Sequence, residues 1–240
     1  MSVYACSDLH GNLNLYKQIA DFLKPEDTVY FLGDAGDRGS HSWETIKEIY
    51  KNKQFIYLKG NHEDMFVRAA KEFIIDEVWG YDYFLLCQNG GEETINDWLN
   101  EDNRNEWVAA INNLPVRAEY TNKDGITFIM THAGFTPNKK ANILLEDLLW
   151  SREHFYDAWP EDEEKTIILH GHTPKLSLHK RLSKANYFFN DEYLLDKPGE
   201  GIYSYCDGHK ICLDCHTIIT GQTVLYDLNT YEEHIFVDGE

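Results

Sequence analysis

Val3-Tyr4-Ala5-Cys6-Ser7-Asp8-Leu9-His10-Gly11-Asn12 decides the reading of this chain: a short apolar run with a β-branched residue stops abruptly in polar, glycine-containing sequence. Apolar residues return at helical spacing from Leu13 to Phe22. The alternation comes twice more. Thr28 to Leu32 leads into a helical stretch from about Trp43 to Tyr50, and Phe55 to Leu58 leads into one from Glu63 to about Phe73. Short apolar runs alternating with longer periodic ones give βαβαβα, the pattern of a largely parallel sheet. Polar segments follow each strand, at Asp8 to Asn12, Gly33 to Gly39 and Gly60 to Asn61. In a parallel sheet all three lie at one edge, the edge where open α/β sheets bind ligands.

Further along, residues from about 73 to 114 read as mainly helical and rich in tryptophan, asparagine and acidic residues, an insertion covering one side. Trp79, Tyr81, Tyr83, Phe84, Trp98 and Trp107 within it read as core, although part of the stretch is free to line a substrate approach. Val116 to Tyr120 and Ile126 to Thr131 read as strands around the turn Asn122 to Gly125. Ile143 to Trp150 reads as helical and Thr166 to Leu169 as a buried strand. The last 40 residues read as an antiparallel meander, in which Ile202 to Cys206 and His209 to Leu213 flank the hairpin signal Asp207-Gly208. Without a linker, low-complexity tract or solenoid repeat, residues 1–240 are expected to form a single domain.

The polar residues at the strand ends carry the chemistry. Asp8 to Asp34 spans 26 residues and Asp34 to Asn61 spans 27, so a shared βα period brings them to one edge. His132 follows the strand ending at Thr131, and His170 and His172 follow the one ending at Leu169. Asp8, His10, Asp34, Asn61, His132 and His172 are therefore candidate metal ligands converging from five strand ends. Carboxylate and imidazole together suit first-row divalent ions, two of which one carboxylate can hold ~3.5–4 Å apart. The set is not the all-oxygen cage that calcium takes.

Ser7-Asp8-Leu9-His10-Gly11, Gly33-Asp34-Ala35-Gly36-Asp37-Arg38-Gly39, Gly60-Asn61-His62-Glu63, Thr131-His132-Ala133-Gly134 and His170-Gly171-His172-Thr173-Pro174 occur in this order. Together they resemble the motifs of the calcineurin-like metallophosphoesterases, the second in the form used by serine/threonine phosphoprotein phosphatases. The resemblance implies a four-layered α/β/β/α sandwich with two mixed sheets. It also implies that Asp8, His10 and Asp34 hold one metal, and that Asp34 bridges to a second held by Asn61, His132 and His172. Arg38, Asn61 and, in Trp150-Ser151-Arg152, Arg152 resemble the phosphate-binding groups. His62 matches the general acid and Asp37 its orienting carboxylate. Leu213-Asp214-Cys215-His216-Thr217 departs from the Asp-Thr-Gly that those phosphatases commonly show.

The chemistry is coherent on physical grounds too. A water between two metals is acidified enough to attack phosphorus in line, arginine's fork matches the phosphoryl oxygens, and a protonated histidine serves a basic leaving alkoxide. Read singly, the motifs have plainer meanings. Asn61 and Glu63 suit a helix cap and its positive dipole end, and Arg152 suits a surface salt bridge. His170 suits either support of the metal site or a structural role. Cys206, His209, Cys212, Cys215 and His216 invite a zinc knot, but the hairpin register pairs Cys206 with His209 and turns Cys212 to the other face, so buried inert cysteines are the reading.

Bulk properties bound the partners. A formal charge of −19 argues against stable nucleic-acid binding and repels anionic substrates at long range, so local cations must reverse that field at a phosphate site. No run approaches the ~20 apolar residues of a membrane span. Five cysteines without regular spacing, and an N-terminus running straight into a strand, make the cytoplasm the expected compartment. The expected activity is hydrolysis of phosphate monoesters with two divalent ions (manganese first, iron or zinc next), as in serine/threonine protein phosphatases. Its expected substrates are a phosphorylated protein or a small phosphoester. A dinucleoside polyphosphate hydrolase, a phosphodiesterase and an inactive metal-binding scaffold stand as alternatives.

Overall fold

A computed structural model describes residues 1–135, 143–189 and 201–239. The first sheet contains β1 (Val3–Cys6), β2 (Thr28–Phe31) and β3 (Phe55–Tyr57), all parallel, joined by α1 (Leu13–Phe22) and α2 (Ser42–Lys51), with α3 (Asn61–Asp76) following β3. Three helices come next: α4 (Tyr81–Gln88), α5 (Glu92–Leu99) and α6 (Arg104–Asn112). The second sheet contains β4 (Arg117–Thr121), β5 (Thr127–Thr131), β6 (Thr166–His170), β7 (Tyr203–Tyr205) and β8 (Lys210–Cys212), in the order β4-β5-β6-β8-β7. Its outer helices are α7 (Leu145–Trp150) and α8 (Lys175–Phe189). A short helix, α9 (Thr217–Thr220), leads to β9 (Gln222–Asp227) and β10 (Glu233–Val237), which complete the first sheet as β10-β9-β1-β2-β3. Both sheets are mixed, as expected.

Alternation along the strands produces the layers. Val3 and Ala5 of β1 face Phe128, Met130, Leu169 and Ile211 in the apolar layer between the sheets. Tyr4 and Cys6 face the other way, into a core shared with Leu15, Ile19, Ile46, Phe66 and Trp98 of the helices. On the outer side of the second sheet, Ile129 and Ile168 pack with Leu148 of α7, and Tyr203, Tyr205 and Cys212 pack with Leu178 and Leu182 of α8. The result is helix, sheet, sheet, helix. Trp98 and Trp107 are buried in the first helical core, whereas Tyr81 and Phe84 are exposed.

The C-terminal meander is not what forms. β7 and β8 are an antiparallel pair, and their register Tyr205↔Lys210 agrees with a turn at Asp207-Gly208. The chain then leaves that sheet, and β9 inserts beside β1 in the other one. The reason lies in β9: Thr223 to Asp227 are all buried, so both faces need cover, which an edge meander cannot give. Tyr226 joins the layer between the sheets while Leu225 joins the helix side. α8 was not legible as an element, yet Leu178 and Leu182 stand one turn apart and Pro174 precedes the helix.

Candidate metal centre

The ends of β1, β2, β5 and β6 and the start of α3 meet at one edge. Backbone bonds lace the loops after β1 and β2 together: Asp8 N to Gly33 O at 3.1 Å, His10 N to Asp34 O at 3.0 Å and Gly11 N to Ala35 O at 2.7 Å. Among the described residues, Asp8, His10, Asp34, Asp37, Arg38 and His172 are six of the eleven non-glycine residues with positive φ. Such a backbone costs on the order of 1–3 kcal/mol per residue and persists only where surroundings over-determine it. Close approach is the second constraint. A Cβ on Gly171 would fall on Asp8 Oδ2 and Ser7 Oγ, so glycine is required between the two histidines of that motif.

Asp34 stands at the centre, 2% exposed. Its Oδ2 lies 3.8 Å from both His10 Nε2 and His62 Nε2. Its Oδ1 lies 3.4 Å from His132 Nε2 and accepts the His62 backbone N–H at 3.1 Å. Asn61 Oδ1 sits 2.8 Å from His132 Nε2 and 2.9 Å from His172 Nδ1. Two groups result, His10-Asp34-His62 and Asp34-His132-His172, each with ligand atoms within 4.8 Å of one another and Asp34 in common. Asp8 lies just outside them, accepting the His172 N–H at 3.1 and 3.2 Å and the Ser7 hydroxyl.

The titration behaviour follows from this packing. Burial alone would raise Asp34, but His132 and His62 hold its carboxyl well below the usual range. Burial would lower His132, but the Asp34 carboxylate lifts it to about 9. His10 is pushed down to about 3, by burial first and by His62 next. Burial, with His132 beside it, also lowers His172 well below the ordinary imidazole value. Asp8 is raised well above the carboxylate range by burial and by Asp214, itself raised to about 6 by burial.

These residues fit a pair of divalent cations. Five carboxylates, Asp8, Asp34, Asp37, Glu63 and Asp214, are each no more than 3% exposed, a charge density that calls for buried cations. His10 and His172 favour the neutral imidazole, the form that donates to a metal. Mixed carboxylate, amide and imidazole donors suit first-row ions.

The model of the family described as calcineurin-like phosphoesterase matches residues 1–213. The chain belongs to that family. Its members use a dinuclear metal centre, and the chain is accordingly a metal-dependent phosphoric ester hydrolase. Similar solved structures span the phosphoesterase's length at low identity. One is the crystal structure of "a putative diadenosine tetraphosphatase", with TM-score 0.62 and 14% identity over 98% of this chain and 92% of the other. Another is a protein serine/threonine phosphatase from Saccharomyces cerevisiae with similarity to human phosphatase PP5, with TM-score 0.53 and 16% identity over 100% and 81%. A third is a metallophosphoesterase from Sphaerobacter thermophilus, with TM-score 0.56 and 12% identity over 100% and 89%. At these identities the likeness speaks for the fold.

Around the two groups, the remaining candidates have distinct partners. His62 Nδ1 lies 2.6 Å from Asp37 Oδ2. Arg38 spans both imidazoles, Nη1 to His10 Nε2 at 2.9 Å and Nη2 to His62 Nε2 at 2.8 Å, and its backbone N–H is tied to Gly90 O at 2.8 Å. Arg152 is half-buried and donates from Nε to Thr173 Oγ1 at 3.0 Å, not to a surface carboxylate. His170 bonds Gly171 O at 3.1 Å and Tyr205 OH at 3.0 Å, apart from both groups.

Two supporting residues escaped the sequence reading. Thr94, from α5, donates to Asp37 Oδ1 at 2.5 Å, and nothing in the sequence marks it. Glu63 is more than a dipole partner. Its carboxylate accepts the N–H groups of Asp34 (2.9 Å), Ala35 (2.9 Å) and Gly60 (2.7 Å) and the Tyr57 hydroxyl (2.6 Å). The signal available was its position three residues past the cap Gly60, where an acid reaches back to the cap N–H. Four donors share two oxygens, so Glu63→Gln turns an amide NH₂ towards donors. We expect a loss of roughly 1–3 kcal/mol per orphaned donor in denaturant unfolding. We also expect a fall in kcat of about 10²-fold as Asp34 shifts; wild-type values in both measurements would contradict this role.

Proposed function

We propose that this phosphoesterase hydrolyses phosphate monoesters at a two-cation site, in the manner of a serine/threonine protein phosphatase. The observation that carries the reading is Asp34, whose two oxygens face two separate imidazole groups. In this reading Asp8, His10 and Asp34 hold one cation, and Asp34, Asn61, His132 and His172 hold the other. Manganese is the first choice, with iron or zinc next. Bound there, the ions would supply Lewis-acid chemistry, lowering the pKa of water and offsetting charge on phosphoryl oxygens.

The protein's own groups supply the rest. Arg38, Asn61 and Arg152 would grip the phosphoryl oxygens, arginine bidentately. Asp37 holds His62 Nδ1 at 2.6 Å, and His62 would donate a proton to the departing alkoxide from Nε2 once Arg38, whose Nη2 donates to that atom at 2.8 Å, turns to the phosphoryl oxygens. Burial opposes the charged imidazole, but Asp34 and Asp37 outweigh it and raise His62 above its ordinary value. The protonated, donating form is thus populated below that raised value and lost as pH climbs through it. A cytoplasmic location and a single domain over 1–240, with α4 to α6 as its insertion, complete the proposal. Among the described residues no helix is long and apolar enough to cross a membrane.

Manganese at about 100 times its dissociation constant should stabilise the wild type by roughly 2.7 kcal/mol per site, read by calorimetry. Asp34→Asn should forfeit most of that gain, and equal stabilisation of both proteins would sink the two-cation site. His62→Ala should slow an alkyl phosphate by about 10²–10⁴-fold and p-nitrophenyl phosphate much less, since the nitrophenolate needs no acid. Asp37→Asn should move the alkaline limb of kcat/KM to lower pH, because one of the two carboxylates holding the His62 proton is gone. A limb that stays in place would refute the pairing.

A further inference from the structure

The loop that presents His10 encloses more than the metal cluster. A cavity of about 360 Å³ opens beside His10, between the start of α1, the loop after β2 and α9. Of the candidate metal ligands, His10 is the one among its described walls. Another wall is Asp238, the residue after β10.

Asp238 is held in place. Its Oδ2 accepts from Asn12 Nδ2 at 2.8 Å and its Oδ1 from Asn14 Nδ2 at 2.5 Å, while its backbone N–H donates to Gly221 O at 2.7 Å. Asn12 is itself fixed, since its Oδ1 caps α1 by accepting the Leu15 N–H at 3.0 Å. The carboxylate is thus tied to the His10-Gly11-Asn12 loop. A carboxylate offers about four acceptor positions, and the two amides fill only half of them. Among the described residues no lysine or arginine pairs with it.

The walls select the occupant. Among the described residues no lysine or arginine lines the cavity, so it lacks the groups that would hold a second phosphate. His41 at its rim faces Glu44, Nδ1 to Oε2 at 3.8 Å. Ile218 of α9 also lines it and is 40% exposed, so part of the wall is apolar. A carboxylate with acceptor positions to spare near an aliphatic wall matches an alkyl stem ending in a cation, the build of lysine and arginine. The field of the whole chain, net −19, draws in such a partner and repels an acidic one. Position agrees with charge. His62, the proposed proton donor, meets His10 edge-on with ring centroids 4.9 Å apart, so the alcohol departs beside the ring that walls the cavity.

We infer that this cavity is a leaving-group subsite for a lysine or arginine side chain next to the phosphorylated residue, and that Asp238 sets the preference. The substrate is then a phosphoserine or phosphothreonine in a basic segment. This rests on the phosphomonoester reading of the metal centre and names its substrate class.

The test measures kcat/KM on the manganese-loaded full chain at low ionic strength, with p-nitrophenyl phosphate as reference. Three phosphoserine peptides differ only in carrying arginine, alanine or glutamate beside the phosphoserine. Wild type should prefer the arginine peptide to the alanine peptide by roughly 5-fold, the upper range of an exposed ion pair. Asp238→Asn, which keeps one oxygen acceptor for the amides, should erase that preference, and Asp238→Lys should turn it towards the glutamate peptide. Asp21→Asn, the same charge change on an exposed part of α1, should leave it in place. An unaltered preference in Asp238→Asn would overturn the subsite. Equal losses in Asp238→Asn and Asp21→Asn would also overturn it, since the field of the whole chain then carries the effect. Turnover of p-nitrophenyl phosphate without any peptide turnover counts against it as well. Absence of turnover with every compound would sink the phosphoesterase reading instead. Calorimetric binding then decides the subsite by itself: the arginine phosphopeptide must bind tighter than the alanine one, and Asp238→Asn must abolish the difference.

Discussion

Everything at this edge of the molecule depends on keeping one buried carboxylate ionised between two sets of imidazoles. Asp34 is 2% exposed, and burial alone would neutralise it. His132 and His62 hold it charged, and the N–H of His62 binds its Oδ1. The backbone is subordinated to this requirement. Asp34 itself has positive φ, and so do Asp8 and His10 from the neighbouring loop, which is laced to Asp34 through its carbonyl. A loop free to relax would leave these strained conformations; paired loops at the end of a parallel sheet cannot.

The same requirement explains why so many acids are buried near one another. Burial and Asp214 raise Asp8, burial and Asp34 raise Asp214, and burial and Asp34 raise Glu63. Hydrogen bonds offset part of that cost. Glu63 takes up the N–H groups of Asp34, Ala35 and Gly60, so one carboxylate braces the chain that presents another. Thr94 and His62 clamp both oxygens of Asp37. The helices after α3 thus brace two candidate site residues, Asp37 through α5 and Arg38 through Gly90, although no motif lies in them.

Much of this was legible because period and chemistry coincide in the first third of the chain. Near-equal spacing of Asp8, Asp34 and Asn61 is a one-dimensional image of βα geometry, and it foretells which side chains share an edge. Glu63 shows the limit. As a local feature it is a first-turn acid, and only the folded loops of Asp34 and Gly60 make it an acceptor of four bonds. β9 shows another. Its residues announce a strand buried on both faces, but which sheet receives it depends on β1 having a free edge beside it. Thr94 had no local signal at all, since a helical threonine reads the same whether or not a carboxylate lies across from it.

Charge distribution is the constraint that joins the site to the rest of the surface. A chain of net −19 would exclude phosphate unless positive charge were concentrated where it reacts. Two candidate sources are built in: the carboxylate and imidazole cluster around Asp34, which fits divalent cations, and the arginines on either side of it. Arg38 is held by Gly90 and spans His10 and His62, whereas Arg152 is held by Thr173 and lies towards α8. The flanks are therefore unequal. On the Arg38 side the guanidinium is engaged with two histidines, and on the Arg152 side the positive charge continues outward along a helix without acids. The two guanidinium groups that flank the Asp34 cluster are therefore positioned differently, one through imidazoles and the other through a hydroxyl.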